Sequence, residues 1–421
     1  MRTAASDSLR RNRDFQIYCT GQGFSMLGSA ASGLALPLLV LSSTGSPFQA
    51  GLVEAVWTGA LALACLPGGT IADRFDRRTT LLCCELGRTA ASGLLAAAVL
   101  TGHTALPLLL AVGAVLGALT APAIAAGLAA LTRIVPADKL SSAIAVNRVR
   151  GQGAYLLGPM LGGWLFTVSP SLPFWLDALS FAISGVSVYF VRTPLSVPAP
   201  AAGEPAPERG WLRESGAALR PLWADRVLRR LTLLAAGQNL VLDGAYLAVV
   251  VVSSRAGSTG LSVGAIAAVS AVGALAGVLV APWLGARWSP GTVLTVGGTA
   301  CAVLVCAMAL GTGPALLAPL LGGCSMAVAL SGSLITLARM VRTPAHLQGR
   351  VHSASGLLLM AAPPLGSTLT GGLLEQLPAP AVFLLLGALL VPLAAATPQI
   401  RAADLAAPVV AAPDTRDPHR R

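Results

Sequence analysis

Apolar residues in this chain come in long blocks, and charged residues are confined to the short breaks between them. Twelve apolar runs stand out, at 15–41, 49–68, 79–101, 104–132, 140–167, 172–191, 229–253, 260–284, 290–311, 313–338, 350–374 and 377–397. Wound as a helix, each is long enough for the ~30 Å hydrocarbon core of a bilayer, which takes about 20 residues. Helices apolar on every side belong in a membrane or a large buried core, and twelve in succession point to the membrane. The pattern therefore predicts an all-α membrane protein of twelve spans.

The breaks between runs set an orientation. Alternate breaks hold Arg74, Arg77 and Arg78, then Arg133 and Lys139, a cluster from Arg209 to Arg230, Arg287, and finally Arg339, Arg342 and Arg350. The intervening breaks Leu41 to Gln49, Thr101 to Ala105 and Gly311 to Pro314 contain no Lys or Arg, and Arg255 is the clear exception on that side. Basic residues gather in cytoplasmic loops, so both termini are expected inside a cell membrane crossed many times. Arg2, Arg10, Arg11 and Arg13 precede a first run too long for a signal-peptide core, which reads as a retained helix.

One break is longer. Residues 193–228 begin Pro/Ala-rich, as an extended linker would, and Trp211 to Arg230 mixes Trp and Leu with Arg like an interfacial amphipathic helix. The break divides the chain into six spans at 1–192 and six at 229–400, with a disordered cytoplasmic tail expected at 401–421. The halves echo one another: Leu131-Thr-Arg133-Ile-Val135 returns as Leu337-Ala-Arg339-Met-Val341, and Pro-x-x-Gly follows each, at Pro159 and Pro363. Repeats at half-length mark transporters built from two related bundles.

Composition adds exclusions. Hydrophobic residues make up 55% and charged residues 11% of the chain, with a mean hydropathy of +0.74, against about 25% charged in soluble proteins. The net charge of +11 follows the loops and forms no basic surface for nucleic acid. All seven cysteines lie in apolar runs without C-x-x-C spacing; they read as small buried hydrophobes, neither metal ligands nor redox pairs. Four scattered histidines and the lack of a Gly-x-x-x-x-Gly-Lys-Ser/Thr loop leave no catalytic constellation and no ATP-driven motor. No cofactor or metal is expected.

Two motifs carry a family resemblance. Gly68-Gly69-Thr-Ile-Ala-Asp73-Arg74-Phe-Asp76-Arg77-Arg78 packs five charges into six residues between spans 2 and 3. Its spacing resembles the signature loop of the major facilitator superfamily of secondary transporters. In span 5, Gly158-Pro159-Met-Leu-Gly162-Gly163 resembles the Gly-Pro-x-x-Gly-Gly signature of that superfamily's antiporter branches; glycines at this spacing let a neighbouring backbone approach, and Pro159 weakens the local helix. The alternative is a generic small-residue packing seam. The overall texture resembles bacterial exporters related to the enterobactin exporter. Two departures stand out: Asp76 replaces the usual glycine, and span 4 has no Arg before Arg133, the position of the Arg-centred motif in many proton-coupled drug antiporters.

The resemblance implies two pseudo-symmetric six-helix bundles, alternating access, a small-molecule substrate, protons as coupling ion and a monomer. It also implies a conformational latch of Gly69, Asp73, Arg74, Arg77 and Arg78, in which Asp73 meets the start of span 11 around Gly349 to Ser353. Export of a drug, siderophore or secondary metabolite is the leading expectation; metabolite uptake, or a polytopic sensor or enzyme without transport, are the alternatives.

Ionisable groups inside a bilayer are costly and functional by default. Glu85 and Arg88, three apart, share a helix face and read as a structural ion pair. Glu54 and Asp177 fall a turn or two from the outer surface, which favours a vestibule or packing role. Arg148 and Arg150 either snorkel to the inner surface or face an anionic substrate. Asp243 lies near the middle of span 7 with Asn239 and Tyr246 on its face, and Gln22, Ser25, Ser29 and Ser32 make a stripe on span 1. In the family those helices line the central cavity, so the stripes are expected to face each other as a substrate or proton site. The alternative is an internally hydrogen-bonded packing face.

Overall fold

The computed structural model describes residues 9, 11–195, 223, 225–343 and 345–396, and the side chains of 66–74, 345–354 and 357 lie outside this description. Twelve α-helices follow one another: α1 Arg13–Thr44, α2 Pro47–Arg74, α3 Arg77–Leu100, α4 Leu106–Ile134, α5 Leu140–Val168, α6 Leu172–Phe190, α7 Arg226–Arg255, α8 Gly260–Arg287, α9 Pro290–Ala307, α10 Pro314–Arg342, α11 Ala345–Gln376 and α12 Ala379–Ala395. Nine of them, all but α5, α11 and α12, are long and apolar enough to cross a membrane among the described residues. The expected interfacial stretch lies mostly outside the described residues, and its end corrects the expectation: Arg226 to Arg230 open α7.

The turns carry the signals that stop and restart helices. Gly45 ends α1 with φ 69°, a left-handed position that favours glycine, and its N–H reaches Leu41 O. Asp76 caps α3, accepting from Thr79 N at 2.9 Å, so the residue that departs from the usual motif gains a helix-capping role. Thr259 and Ser289 cap α8 and α9 in the same way.

Packing separates α1–α6 from α7–α12. In the first bundle α1 packs on α5 and α6, α2 on α4, and α3 on α4 and α6; in the second the same pattern recurs six helices later. The bundles meet where α2 packs on α11, α5 on α8, and α1 more lightly on α7. The first cap of each bundle also ties down the fourth helix. Asn12 accepts from Phe15 N and donates to Ile134 O at the end of α4. Asp225 accepts from Val227 N and Leu228 N and pairs with Arg342 at the end of α10 at 2.6 Å.

The two ends of the molecule differ. On the terminal face, where α1 begins and α12 ends, each bundle has its own core: Phe15, Leu81, Ala126 and Val188 in one, Leu231, Leu294 and Ile335 in the other. On the opposite face a single core joins both, with Leu39, Val40 and Val53 packed alongside Val249, Val252, Ile266 and Leu374. The bundles are thus closed together on the opposite face, while their described cores stay separate on the terminal face.

Candidate functional site

The closed seam rests on glycine. A Cβ on Gly163 of α5 would run into the Gly260 carbonyl of α8, and one on Gly264 into the Pro159 carbonyl. Gly158 and Gly162 abut Ala30 and Ala31 of α1. The span 5 motif therefore serves two contacts, one within its bundle and one across, while α5 continues as helix through Pro159. Along the second seam Gly51 sits on Ser367 O, Gly371 on Pro47 O, and Thr368 Oγ1 donates to Gly51 O at 3.4 Å. At its tip Glu375 of α11 accepts from Ser46 Oγ and, at 3.4 Å, from Phe48 N, which places a carboxylate on the N-terminal end of α2.

Behind this seam lies a polar group shared by both bundles. Asp243 on α7 has one carboxylate oxygen, Oδ2, buried without a hydrogen-bond partner. The Ser367 hydroxyl of α11 is within its reach, and Glu54 of α2 is near enough for its charge to act on both Asp243 and Tyr246. Glu54 stands seven residues into α2, about 10 Å of helix rise, about two turns from its start as expected, and what the sequence did not show is that it faces Asp243. One turn from Asp243, Asn239 joins Gln238, Thr336 and Arg339 around a pocket of about 80 Å³ between α7, α10 and α11.

The α1 stripe lies elsewhere. Gln22 Nε2 donates to Ser184 Oγ of α6 at 2.9 Å and to Glu85 Oε1 of α3 at 3.4 Å, and Ser29 and Ser32 donate to Asp177 of α6 at 3.2 and 3.0 Å. Ser25 is buried. The structure does not bring Gln22, Ser29 or Ser32 to Asp243, Asn239 or Tyr246; their partners lie inside the first bundle. Asp177 is not near solvent either: it is 2% exposed and takes a third hydroxyl, from Ser92 at 3.0 Å. Glu85 and Arg88 pair at 2.7 Å, Ser184 donates to Glu85 at 2.9 Å, and the Arg88 guanidinium lies 4.4 Å over the Phe181 ring.

Of the latch residues, Gly69, Asp73 and Arg74 fall where side chains lie outside the described residues, as does the start of α11. Arg78 donates to Val191 O and, at 3.2 Å, to Thr193 O, and Asp14 holds the same exit of α6 by accepting from Thr193 N at 2.8 Å. Arg77 is half-buried and Arg148 exposed; Arg150 reaches Cys19. Cys65 and Cys83 are exposed, not buried as composition suggested. Among the described residues no group of three or more His, Cys, Asp or Glu is placed to hold a metal.

Sequence reasoning did not single out Ser367 or Arg339 as site residues, and it gave Glu54 a vestibule or packing role without its nearness to Asp243. Nothing local in the sequence marks Ser367.

Comparisons with known proteins agree with this architecture. The family model of the Major Facilitator Superfamily matches residues 18–367. The chain is 28% identical over 384 residues to the multidrug efflux pump Tap of Mycobacterium bovis, covering 85% of this chain and 86% of that one. It is 24% identical over 372 residues to the enterobactin exporter EntS of Salmonella choleraesuis, covering 87% and 86%. The crystal structure of the nucleoside transporter NupG shares the fold with a TM-score of 0.69 at 16% identity, over 91% of this chain and 98% of that one. Family match, repeated bundle packing and apolar helices agree, and the chain belongs to the major facilitator superfamily as a multi-pass membrane transporter.

Proposed function

We propose that this transporter exports a small organic molecule across the cell membrane by alternating access, driven by protons that bind at the Asp243–Glu54 pair. The observation that carries the coupling is the pair itself. It places one carboxyl from each bundle behind the seam that must part on opening. Two ionised carboxylates near each other repel; a proton on one removes that repulsion and favours closure. Loss of the proton reverses the balance, so protonation and the closing of the seam are linked.

Export is supported by the relatives, one named an efflux pump and another an exporter. The basic residues near the terminal face support a cytoplasmic placement of both termini. With that orientation the closed face is the outer one. Residues 1–192 and 229–400 then form the two moving bundles, joined by 193–228, and Asp73 takes the latch role against α11 when the inner side closes.

The test begins with a compound panel, comparing accumulation in cells with and without the protein. The exported compound is then followed in vesicles under an imposed pH gradient. Asp243→Asn is expected to abolish pH-driven accumulation while substrate-for-substrate exchange persists. If the variant still concentrates the compound, Asp243 is not the coupling group. Loss of exchange as well assigns it to binding a cationic substrate.

A further inference from the structure

The repeated segment of the two halves places an arginine at equivalent points, Arg133 ending α4 and Arg339 ending α10, but the structure treats them differently. Arg133 is exposed, whereas Arg339 is only 8% exposed. Burying a guanidinium is unfavourable unless an anion and hydrogen bonds compensate. Its neighbour Arg342 shows the usual remedy, a carboxylate at 2.6 Å from Asp225. Arg339 has none among the described residues. Its Nη2 reaches Thr232 Oγ1 at 3.4 Å, and its Nε is buried with no hydrogen-bond partner.

This uncompensated cation lines the pocket between α7, α10 and α11, together with Gln238, Asn239 and Thr336, and no acidic residue joins them. Its free space of about 80 Å³ admits a carboxylate head group. A guanidinium fork matches a carboxylate with two parallel hydrogen bonds, and the amide of Asn239 adds a donor. We propose that Arg339 and Asn239 form an anion subsite that holds the carboxylate of an organic anion during transport. Asn239 precedes Asp243 by four residues, about 6 Å of helix rise, so the head group sits one turn from the coupling carboxylate. The proposal rests on the transport reading above and names the substrate class.

The test is direct binding to the purified full chain with no gradient imposed, so that it reads the subsite independently of pumping. Salicylate is the probe and salicylamide its neutral counterpart. Wild type and Arg133→Gln are expected to bind salicylate alike, Arg339→Gln at least about tenfold more weakly, and Arg339→Lys in between, since an ammonium keeps the charge but loses the fork. Salicylamide is expected to bind weakly to all four. Thermal melting reports whether each variant is folded; if Arg339→Gln is not, Asn239→Leu takes its place, with weaker salicylate binding expected. Absence of salicylate binding to wild type, unchanged affinity in the deciding variant, or equal affinity for salicylamide overturns the subsite. None of these results touches the pH-driven accumulation that tests export.

Discussion

Inside the first bundle Glu85, Arg88 and Asp177 join α1, α3 and α6 through an ion pair and serine hydroxyls, whereas the equivalent helices α7, α9 and α12 meet over Leu, Ala and Gly. Gly298 lies against Ala394, and Gly387 against Cys306 and Ala302. The second bundle has buried polar groups too, but Asp243, Asn239 and Arg339 point towards α2 or into the pocket beside α10 and α11. The same plan thus places polarity differently. In the first bundle it fixes α1, α3 and α6 to each other; in the second it ties α7 to α10 through Asp225 and Arg342 and leaves Asp243 and Asn239 facing α2 or the pocket.

The comparison breaks most sharply at Arg88. Arg88→Leu leaves Glu85 buried without its counter-charge, and a loss of about 3–5 kcal/mol is expected. Thermal melting of the purified protein reads it. Replacing both residues with leucine is expected to cost less than the single change, because no orphaned charge remains. A double variant worse than Arg88→Leu alone would show that the network does more than neutralise itself.

The caps sharpen the contrast with smaller effects. Asp225→Ala removes the acceptor of two amide N–H groups and the partner of Arg342, and about 3 kcal/mol of destabilisation is expected. Asn12→Ala removes a neutral cap and one bond to Ile134 O, for about 1 kcal/mol. The smallest effect is one of pH. Burial acts to raise the Asp225 carboxyl, but the Arg342 hydrogen bond and charge, with the amides of Leu228 and Val227, outweigh it and hold it below the ordinary carboxylate range. A depressed folded value means the contribution is complete above the ordinary value of about 4 and is lost as pH falls through the lower one. The cap of α7 is therefore expected to weaken below about pH 4 while that of α1, an amide, does not titrate. Asp225→Asn removes this dependence, and melting curves from pH 3 to 7 check it.

The sequence made the helices legible because membrane solvation leaves few options: a chain segment surrounded by lipid must bond its own backbone. The motif of α5 was legible for a similar reason, since only glycine admits another backbone at that range. Which face of a helix meets which neighbour was not. Gln22, Ser29 and Ser32 looked like a cavity lining because a polar stripe has the same spacing whether it faces water or Asp177. Arg133 and Arg339 share a local sequence and differ in burial, which tertiary packing alone decides. That Glu54 lies near Asp243, on a helix of the other bundle, was likewise decided by packing between helices far apart in the chain.

The meeting of Gly163 with Gly260, and of Gly264 with the Pro159 carbonyl, has a kinetic consequence. Surfaces without side chains hold no rotamers to freeze on contact or to release on parting, and freezing a long side chain takes up to about 2 kcal/mol. Such a joint parts and closes with little internal friction and returns to the same register each time. In the proposed cycle the rate is then left to the groups that would exchange partners, Glu375 at the tip and the two carboxyls behind it.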